Sequence, residues 1–318
     1  MSTTPPASLP KSAQFASVDA VIEGLASVGY IASHRIATAL YMSMHLQKPL
    51  LVEGFAGVGK TELALSTAAL TGLPLIRMQC YDGLDESKAL YEWKYGKQLL
   101  YTQILKDRMG AEMAKAETLE DAMEHLHGMG DFFFSEPFLE PRPLLQALRS
   151  EAGCVLLIDE IDKSDESFEA FLLEVLSAYQ ASIPEIGVVK ASIPPLVFLT
   201  SNNVRDLGDA LKRRCLHLHI PLPEAKLEER IVATRVPGIE AALTAKLVGF
   251  VQHLRTMDLR KAPSISETVD WARALVLLHA DSLDPDLVRE TLNVILKFEQ
   301  DIAAIEPQVG ELLRAAAA

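Results

Sequence analysis

Apolar residues along the chain gather in short dense runs, separated by longer stretches where they recur every three or four positions. Pro49-Leu50-Leu51-Val52-Glu53-Gly54 is one such run, closed by glycine, and it suits a parallel strand buried on both faces. The same signature predicts strands at 74–80, 154–159, 196–201 and 215–221, with helical stretches between them. Strands alternating with helices imply an α/β fold, a parallel sheet covered by helices. Residues 18–46 read as helical, with Gly24 and Gly29 as breakers, and a further helix is predicted at 60–71, stopped by Gly72.

Two stretches break the alternation. Residues 81–140 are far longer than an ordinary connection, so they need structure of their own or a function. Inside them Tyr91, Trp93 and Tyr95 alternate with Glu92 and Lys94 before Gly96, like the arm of a hairpin. Met109, Met113, Ala116, Met123 and Leu126 recur there at helical spacing. The second break, 180–195, sets β-branched residues around Pro184-Glu185-Ile186-Gly187 and reads as another hairpin. After Pro223 the pattern is helical to the end, which predicts a small all-α second domain over 223–318. Residues 1–16, rich in Ser, Thr and Pro, read as a flexible tail, because such a composition cannot repay the entropy of ordering. The α/β domain is then 17–222.

Composition narrows the function classes. In 318 residues, 49% hydrophobic and 23% charged, global disorder is excluded. No apolar run approaches the roughly 18 residues of a membrane helix, and the N-terminus carries no apolar signal core, so no membrane association is expected. Thirty Lys and Arg stand against 43 Asp and Glu, and the net charge of −13 argues against general nucleic-acid binding, which needs a basic surface. A local basic groove is still compatible with it. Cys80, Cys154 and Cys215 are odd in number and far apart, with neither metal spacing nor a disulfide framework. A reducing compartment follows, and the reading is a cytoplasmic protein.

Candidate chemistry begins at Gly54-Phe55-Ala56-Gly57-Val58-Gly59-Lys60-Thr61, which matches G-x-x-x-x-G-K-[ST]. Glycines let a backbone wrap a polyphosphate with its N–H groups pointing inward, and a following helix adds its dipole. Lys60 would reach the β- and γ-phosphates of ATP, and the Thr61 hydroxyl would ligate Mg²⁺. With Glu62 after them, these residues form the candidate nucleotide site; the alternative is a glycine-rich turn that holds no nucleotide. Val155-Leu156-Leu157-Ile158-Asp159-Glu160 ends in two carboxylates, at the strand end where open α/β sheets bind ligands. Asp159 would hold Mg²⁺ through water, and Glu160 would orient and deprotonate the attacking water. The alternative is an acidic helix cap, since Asp162 and Ser164 open another helix. Asn202, closing the run Leu196-Val197-Phe198-Leu199-Thr200-Ser201, could bond the γ-phosphate or the water, or could simply form a turn with Asn203. Arg213 and Arg214 close a helix before the last strand, where basic residues also suit the helix dipole.

Taken together, the phosphate loop, the acid-ended strand, the Thr-Ser-Asn strand and Arg-Arg before the last strand resemble the AAA+ ATPases. Phe138-Leu139-Glu140-Pro141-Arg142-Pro143-Leu144-Leu145 and the two interruptions look like the MoxR family, with its helix-2 insert and pre-sensor-1 β-hairpin. Glu169-Ala170-Phe171-Leu172-Leu173-Glu174 and Pro184-Glu185-Ile186-Gly187 most resemble its CoxD-like branch, found beside molybdenum-containing carbon monoxide dehydrogenase. The resemblance, over residues 25–280, implies strand order 5-1-4-3-2, an α-helical lid, and ATP hydrolysis driving remodelling of a client protein. It implies that Asn202 is sensor 1 and Arg214 the arginine finger, with Arg213 the alternate. The finger acts in trans, so a ring is implied, usually a hexamer. It further implies a von Willebrand factor A-domain partner and a client in metallocofactor maturation of a molybdenum hydroxylase. One departure stands out: the family's Ser-Pro-Arg sensor 2 is replaced by Pro263-Ser264-Ile265-Ser266-Glu267. Either Arg260 or Lys261 substitutes, or sensing from the lid is weaker.

Two rivals belong to other classes. One is a nucleic-acid motor or loader, which the net charge opposes. The other is a nucleotide-gated scaffold with little turnover, which Glu160 and Arg214 oppose. His217 and His219 share a strand face but have no acidic or thiol companions in sequence, and read as structural. His125 and His127 read as solvated. The methionine stripe and the Tyr91/Trp93/Tyr95 face would either contact a client or pack locally.

Overall fold

The five strands expected from the apolar runs form, and their burial explains why they read as continuous rather than alternating. In the computed structural model, which describes residues 15–113, 133–184 and 186–316 (backbone alone at 105 and 107–113), nine strands occur. They are β1 (Leu50–Glu53), β2 (Leu75–Gln79), β3 (Tyr91–Trp93), β4 (Leu139–Pro141), β5 (Val155–Asp159), β6 (Gln180–Ile183), β7 (Gly187–Lys190), β8 (Leu196–Ser201) and β9 (Leu216–His219). The main sheet is wholly parallel, in the order β2-β5-β8-β1-β9. Counted over its own strands this is 5-1-4-3-2, as the resemblance implied. Every residue of β5 and β8 is buried. Val155, Leu157, Leu196 and Phe198 face a core shared with α1 (Val18–Ser27), α2 (His34–Leu46) and α3 (Lys60–Thr71). Leu156, Ile158, Val197 and Leu199 face the opposite core, shared with α4 (Glu86–Leu90). Covering a parallel sheet on both faces is what removes polar alternation from its strands.

The 18–46 stretch divides into α1 and α2, because Gly29 turns at φ 81° and Ser33 caps the second helix by accepting from the Ile36 amide. α3 ends where expected, with Gly72 left-handed at its C-terminus.

The first insertion corrects the hairpin reading. β3 does pair antiparallel, but with β4, across the whole insertion: Tyr91 lies opposite Pro141 and Trp93 opposite Leu139. Tyr95 belongs to no strand; it opens α5 (Tyr95–Met113). Trp93 is buried, edge-on to Tyr91 and Phe134, so packing rather than client contact explains it, while Tyr95 is exposed. Ala116, Met123, Leu126, His125, His127, Glu185 and residues 1–14 lie outside the described residues, as do the side chains of Met109 and Met113. The second insertion is the expected hairpin, β6 against β7.

Past β4 come α6 (Pro143–Leu148), α7 (Glu166–Ala178) and α8 (Asp209–Arg214), and after β9 the described chain is helical: α9 (Ala225–Arg235), α10 (Ala241–Leu254), α11 (Ile265–Leu277), α12 (Pro285–Ile295), α13 (Glu299–Ile305) and α14 (Val309–Ala315). These last helices enclose a third core around Val232, Phe250, Trp271 and Leu292. A buried ion pair crosses it: Arg255 donates to both oxygens of Glu228, each at 2.6 Å, and Gln252 and Thr268 donate to the same carboxylate at 2.7 Å. Arg255 also holds the Pro263 carbonyl at 2.7 Å and the Thr268 amide the Ser264 carbonyl at 3.1 Å, which fixes the start of α11. Among the described residues no helix is long and apolar enough to cross a membrane.

Candidate functional site

Between β1 and α3 the chain makes a loop that only glycine can make. Gly54, Gly57 and Gly59 have φ of 151°, 79° and 94°. A Cβ at Gly54 would stand 2.3 Å from the Ile220 carbonyl oxygen, and one at Gly57 would stand 2.1 Å from the Ser264 hydroxyl. Gly59 caps α3 without a side chain, so the first-turn amides of that helix face the loop. Phe55 and Ala56 are exposed, and Val58 is buried below them. The buried Lys60 ammonium donates to the Gly54 and Phe55 carbonyls at 2.8 Å each and to Asn202 Oδ1 at 2.7 Å. Burial pushes the Lys60 pKa below its ordinary value, against the pull of Asp162, Asp159 and Glu160.

The acid pair stands at the carboxyl end of β5. Asp159 is buried and accepts at Oδ1 from Thr61 at 3.0 Å and from Thr200 at 2.5 Å, and at Oδ2 from Arg77 at 2.6 Å. Glu160 leaves the strand in a left-handed conformation (φ 57°), its amide donating to Thr200 Oγ1 at 2.9 Å. Three groups hold its carboxylate: Gln79 Nε2 at 2.8 Å, Asn202 Nδ2 at 3.1 Å and Lys163 Nζ at 2.7 Å. Asn202 therefore bridges Lys60 and Glu160. Its own loop is pinned by Asp162, whose Oδ2 accepts from the amides of Asn202 at 3.1 Å and Val204 at 2.9 Å. The other oxygen of this buried Asp162 has no hydrogen-bond partner among the described residues. Asp162, read from the sequence only as opening a helix, thus organises the loop after β8, and Glu160 at the cap position of the short turn Ile161–Lys163 makes no side-chain cap bond.

Sequence reasoning missed Arg77, Gln79, Thr200 and the role of Asp162. A signal existed: Arg and Gln interrupt the apolar Leu75-Ile76-Arg77-Met78-Gln79, and Thr200 closes an apolar run. Parallel pairing of Gln79 with Asp159 brings them to the acids.

A cavity of about 630 Å³ opens beside the loop, bounded by Tyr30, Gly57, Glu62, Ile220, Arg235 and Ile265 among others. Glu62, in the first turn of α3, is ion-paired with Arg235 of α9. Burial, with Glu62 nearby, raises the Tyr30 phenol well above its ordinary pKa. Ser266 donates to the Gly57 carbonyl from its amide and its hydroxyl, both at 3.2 Å, so the start of α11 rests on the glycine loop. The expected substitutes for the missing lid arginine are elsewhere: Arg260 stacks at 4.1 Å on the Phe298 ring, and Lys261 pairs with Glu267. The arginines that line the cavity are Arg235 and Arg273.

Arg213 and Arg214 end α8, both exposed, and neither side chain makes a hydrogen bond or ion pair with a described residue. The structure does not join them to the Lys60–Glu160 cluster of their own chain. His217 has an acidic companion after all, Glu53 of the adjacent strand at 2.6 Å, although no group of three metal-ligating residues occurs among the described residues. The three cysteines are free and buried, and burial pushes the thiols of Cys80, Cys154 and Cys215 up to about 12, 11 and 12.

A family model described as an AAA domain of the dynein-related subfamily matches residues 49–215. A Staphylococcus haemolyticus protein, described as uncharacterized, is 24% identical over 238 residues, which span 73% of this chain and 77% of that one. Among solved structures, the Thermotoga maritima RuvB Holliday junction branch migration motor aligns with a TM-score of 0.41 at 16% identity, covering 89% of this chain and 73% of its own. A variant of the same RuvB aligns with a TM-score of 0.42 at 17% identity over the same shares.

Proposed function

Since the chain belongs to the AAA domain family, in its dynein-related subfamily, we propose that it is an ATPase coupling hydrolysis to the remodelling or maturation of a client protein. One observation carries the hydrolytic reading: Asn202 links the Lys60 ammonium, at 2.7 Å, to the Glu160 carboxylate, at 3.1 Å. A phosphate-binding cation and a base for water are thus held as neighbours by a group able to bond both the γ-phosphate and the water.

The donor set fits magnesium, which prefers oxygen ligands: the Thr61 hydroxyl and the Asp159 carboxylate lie 3.0 Å apart at the mouth of the loop. Thr61 and Asp159 would hold the ion, which supplies neutralisation of phosphate charge. Lys60 exchanges its two loop carbonyls for phosphate oxygens, a small rearrangement for a cation already stripped of water. Glu160 takes the proton of the attacking water, and Asn202 keeps water and phosphate in register.

The finer assignment rests on resemblance. It is a MoxR-type chaperone of the CoxD-like branch, with 17–222 as the ATPase domain and 223–318 as the lid, working as a cytoplasmic ring, usually a hexamer. A von Willebrand factor A-domain protein delivers it to a client such as a molybdenum hydroxylase. Arg213 and Arg214, exposed and with side chains unpartnered among the described residues, support a finger offered to a neighbouring subunit.

Glu160→Gln tests the reading. Gln keeps the shape and cannot take the proton, so ATP binding should persist while phosphate release falls by about 10²–10⁴. This variant should also retain its client in a pull-down. Wild-type turnover would assign the base elsewhere, and DNA-stimulated, steeply salt-dependent turnover would replace the client reading with a nucleic-acid motor.

A further inference from the structure

β2 is an edge strand of the main sheet, yet its carboxyl end addresses both acids of the site. Arg77 Nη2 donates to Asp159 Oδ2 at 2.6 Å and also reaches Gln79 Oε1 at 3.3 Å. Gln79, its amide so oriented, donates from Nε2 to Glu160 at 2.8 Å. The two oxygens of Asp159 are therefore divided: Oδ1 takes the hydroxyls of Thr61 and Thr200, and Oδ2 takes a guanidinium. Arg77 is half exposed while Asp159 is almost wholly buried. It is thus the member of the pair with room to move.

Charge makes the consequence definite. Lys60, Arg77 and Lys163 stand against Asp159, Glu160 and Asp162, a balanced set before any ligand arrives. A divalent cation entering this set meets a guanidinium on one oxygen of its carboxylate ligand, and like charges a few ångströms apart repel strongly in a partly desolvated site. We propose that Arg77 is the resident counter-ion of Asp159, and that magnesium gains this carboxylate by exchange, Arg77 swinging off Oδ2 toward the open edge of β2. Arg77 is then a positioning residue that sets how much magnesium the site requires. It holds the buried carboxylate in one orientation until the metal–nucleotide complex replaces it. The exchange breaks the Arg77–Asp159 ion pair and changes no covalent bond, and the inference rests on the ATPase reading.

The test is binding of a non-hydrolysable ATP analogue, measured by calorimetry over a series of Mg²⁺ concentrations, for the full chain and for Arg77→Met and Arg77→Gln. Both variants should reach half-saturation at a magnesium concentration about fivefold lower than wild type, the upper end of what a half-exposed ion pair is worth. Affinity for the analogue in EDTA should be unchanged, a combination that mere loosening of the sheet edge would not produce. Arg77→Gln keeps a polar side chain at the sheet edge without the charge, and decides the matter if Arg77→Met fails to fold. An equal or higher magnesium requirement in the folded variants, with wild-type binding intact, overturns this inference alone. Failure of wild type to bind the analogue at all would remove the ATPase reading and this one with it.

Discussion

Lys60 is solvated by its own loop. Its ammonium is buried and bonded to two carbonyls and Asn202, so the cost of stripping water from a cation is met by folding rather than by the ligand. Lys60→Ala should therefore abolish measurable ATP binding in calorimetry, because the phosphates lose their point charge and the loop its internal anchor. Affinity equal to wild type would refute the phosphate-loop assignment. Lys60, Thr61, Asp159 and Glu160 were readable as candidates because each sits in a local pattern such chemistry would need: glycines at fixed offsets, or acids closing an apolar run. Arg77 and Gln79 were not, because their meaning comes from pairing Gln79 beside Asp159, and register between strands is not a local property. Asp162 shows the limit from the other side. From the sequence it only opens a helix, while the structure spends it on two amides of the loop after β8.

Among the elements, those delimited by glycine and by dense apolar runs were legible to within a residue or two: β1, α3, β5 and β8. β3 was legible as an extended segment but not in its pairing, because its partner β4 lies beyond α5. The buried pair in the helical region was invisible for the same reason, since nothing local marks Arg255 as the partner of Glu228. Its removal has a calculable effect. Arg255→Met should leave the fully buried Glu228 carboxylate without its counter-ion and cost about 3–5 kcal/mol, read as a lowered denaturant midpoint. A change below about 1 kcal/mol would mean that Thr268 and Gln252 suffice to hold the carboxylate. The same substitution frees the Pro263 carbonyl, so the start of α11 should loosen against Gly57.

For the molecule as a whole, the telling residues are those whose side chains pair with no described residue. Arg214 is exposed and unpartnered among the described residues. Arg214→Ala should leave ATP binding to an isolated subunit nearly unchanged and lower turnover by about 10³–10⁵, as for a finger supplied in trans. Mixing it with Lys60→Ala subunits should return part of the activity, since some interfaces then pair an intact loop with an intact arginine. No recovery, with turnover per folded subunit intact in Arg214→Ala, would leave the residue only its own helix dipole to serve. A large loss in Arg213→Ala instead would move the finger by one residue. The strand order carries a consequence of another kind, for the making of the protein. β1 begins at Leu50, but its two neighbours in the sheet begin at Leu196 and Leu216. At a synthesis rate of roughly 5–20 residues per second, the first strand waits about 7–30 s for its nearer neighbour to leave the ribosome. The glycine loop after β1 is thus translated before both acids of the candidate site and is among the last parts to be structured. Nascent chains halted before Leu196 should expose that apolar strand to proteases and chaperones alike.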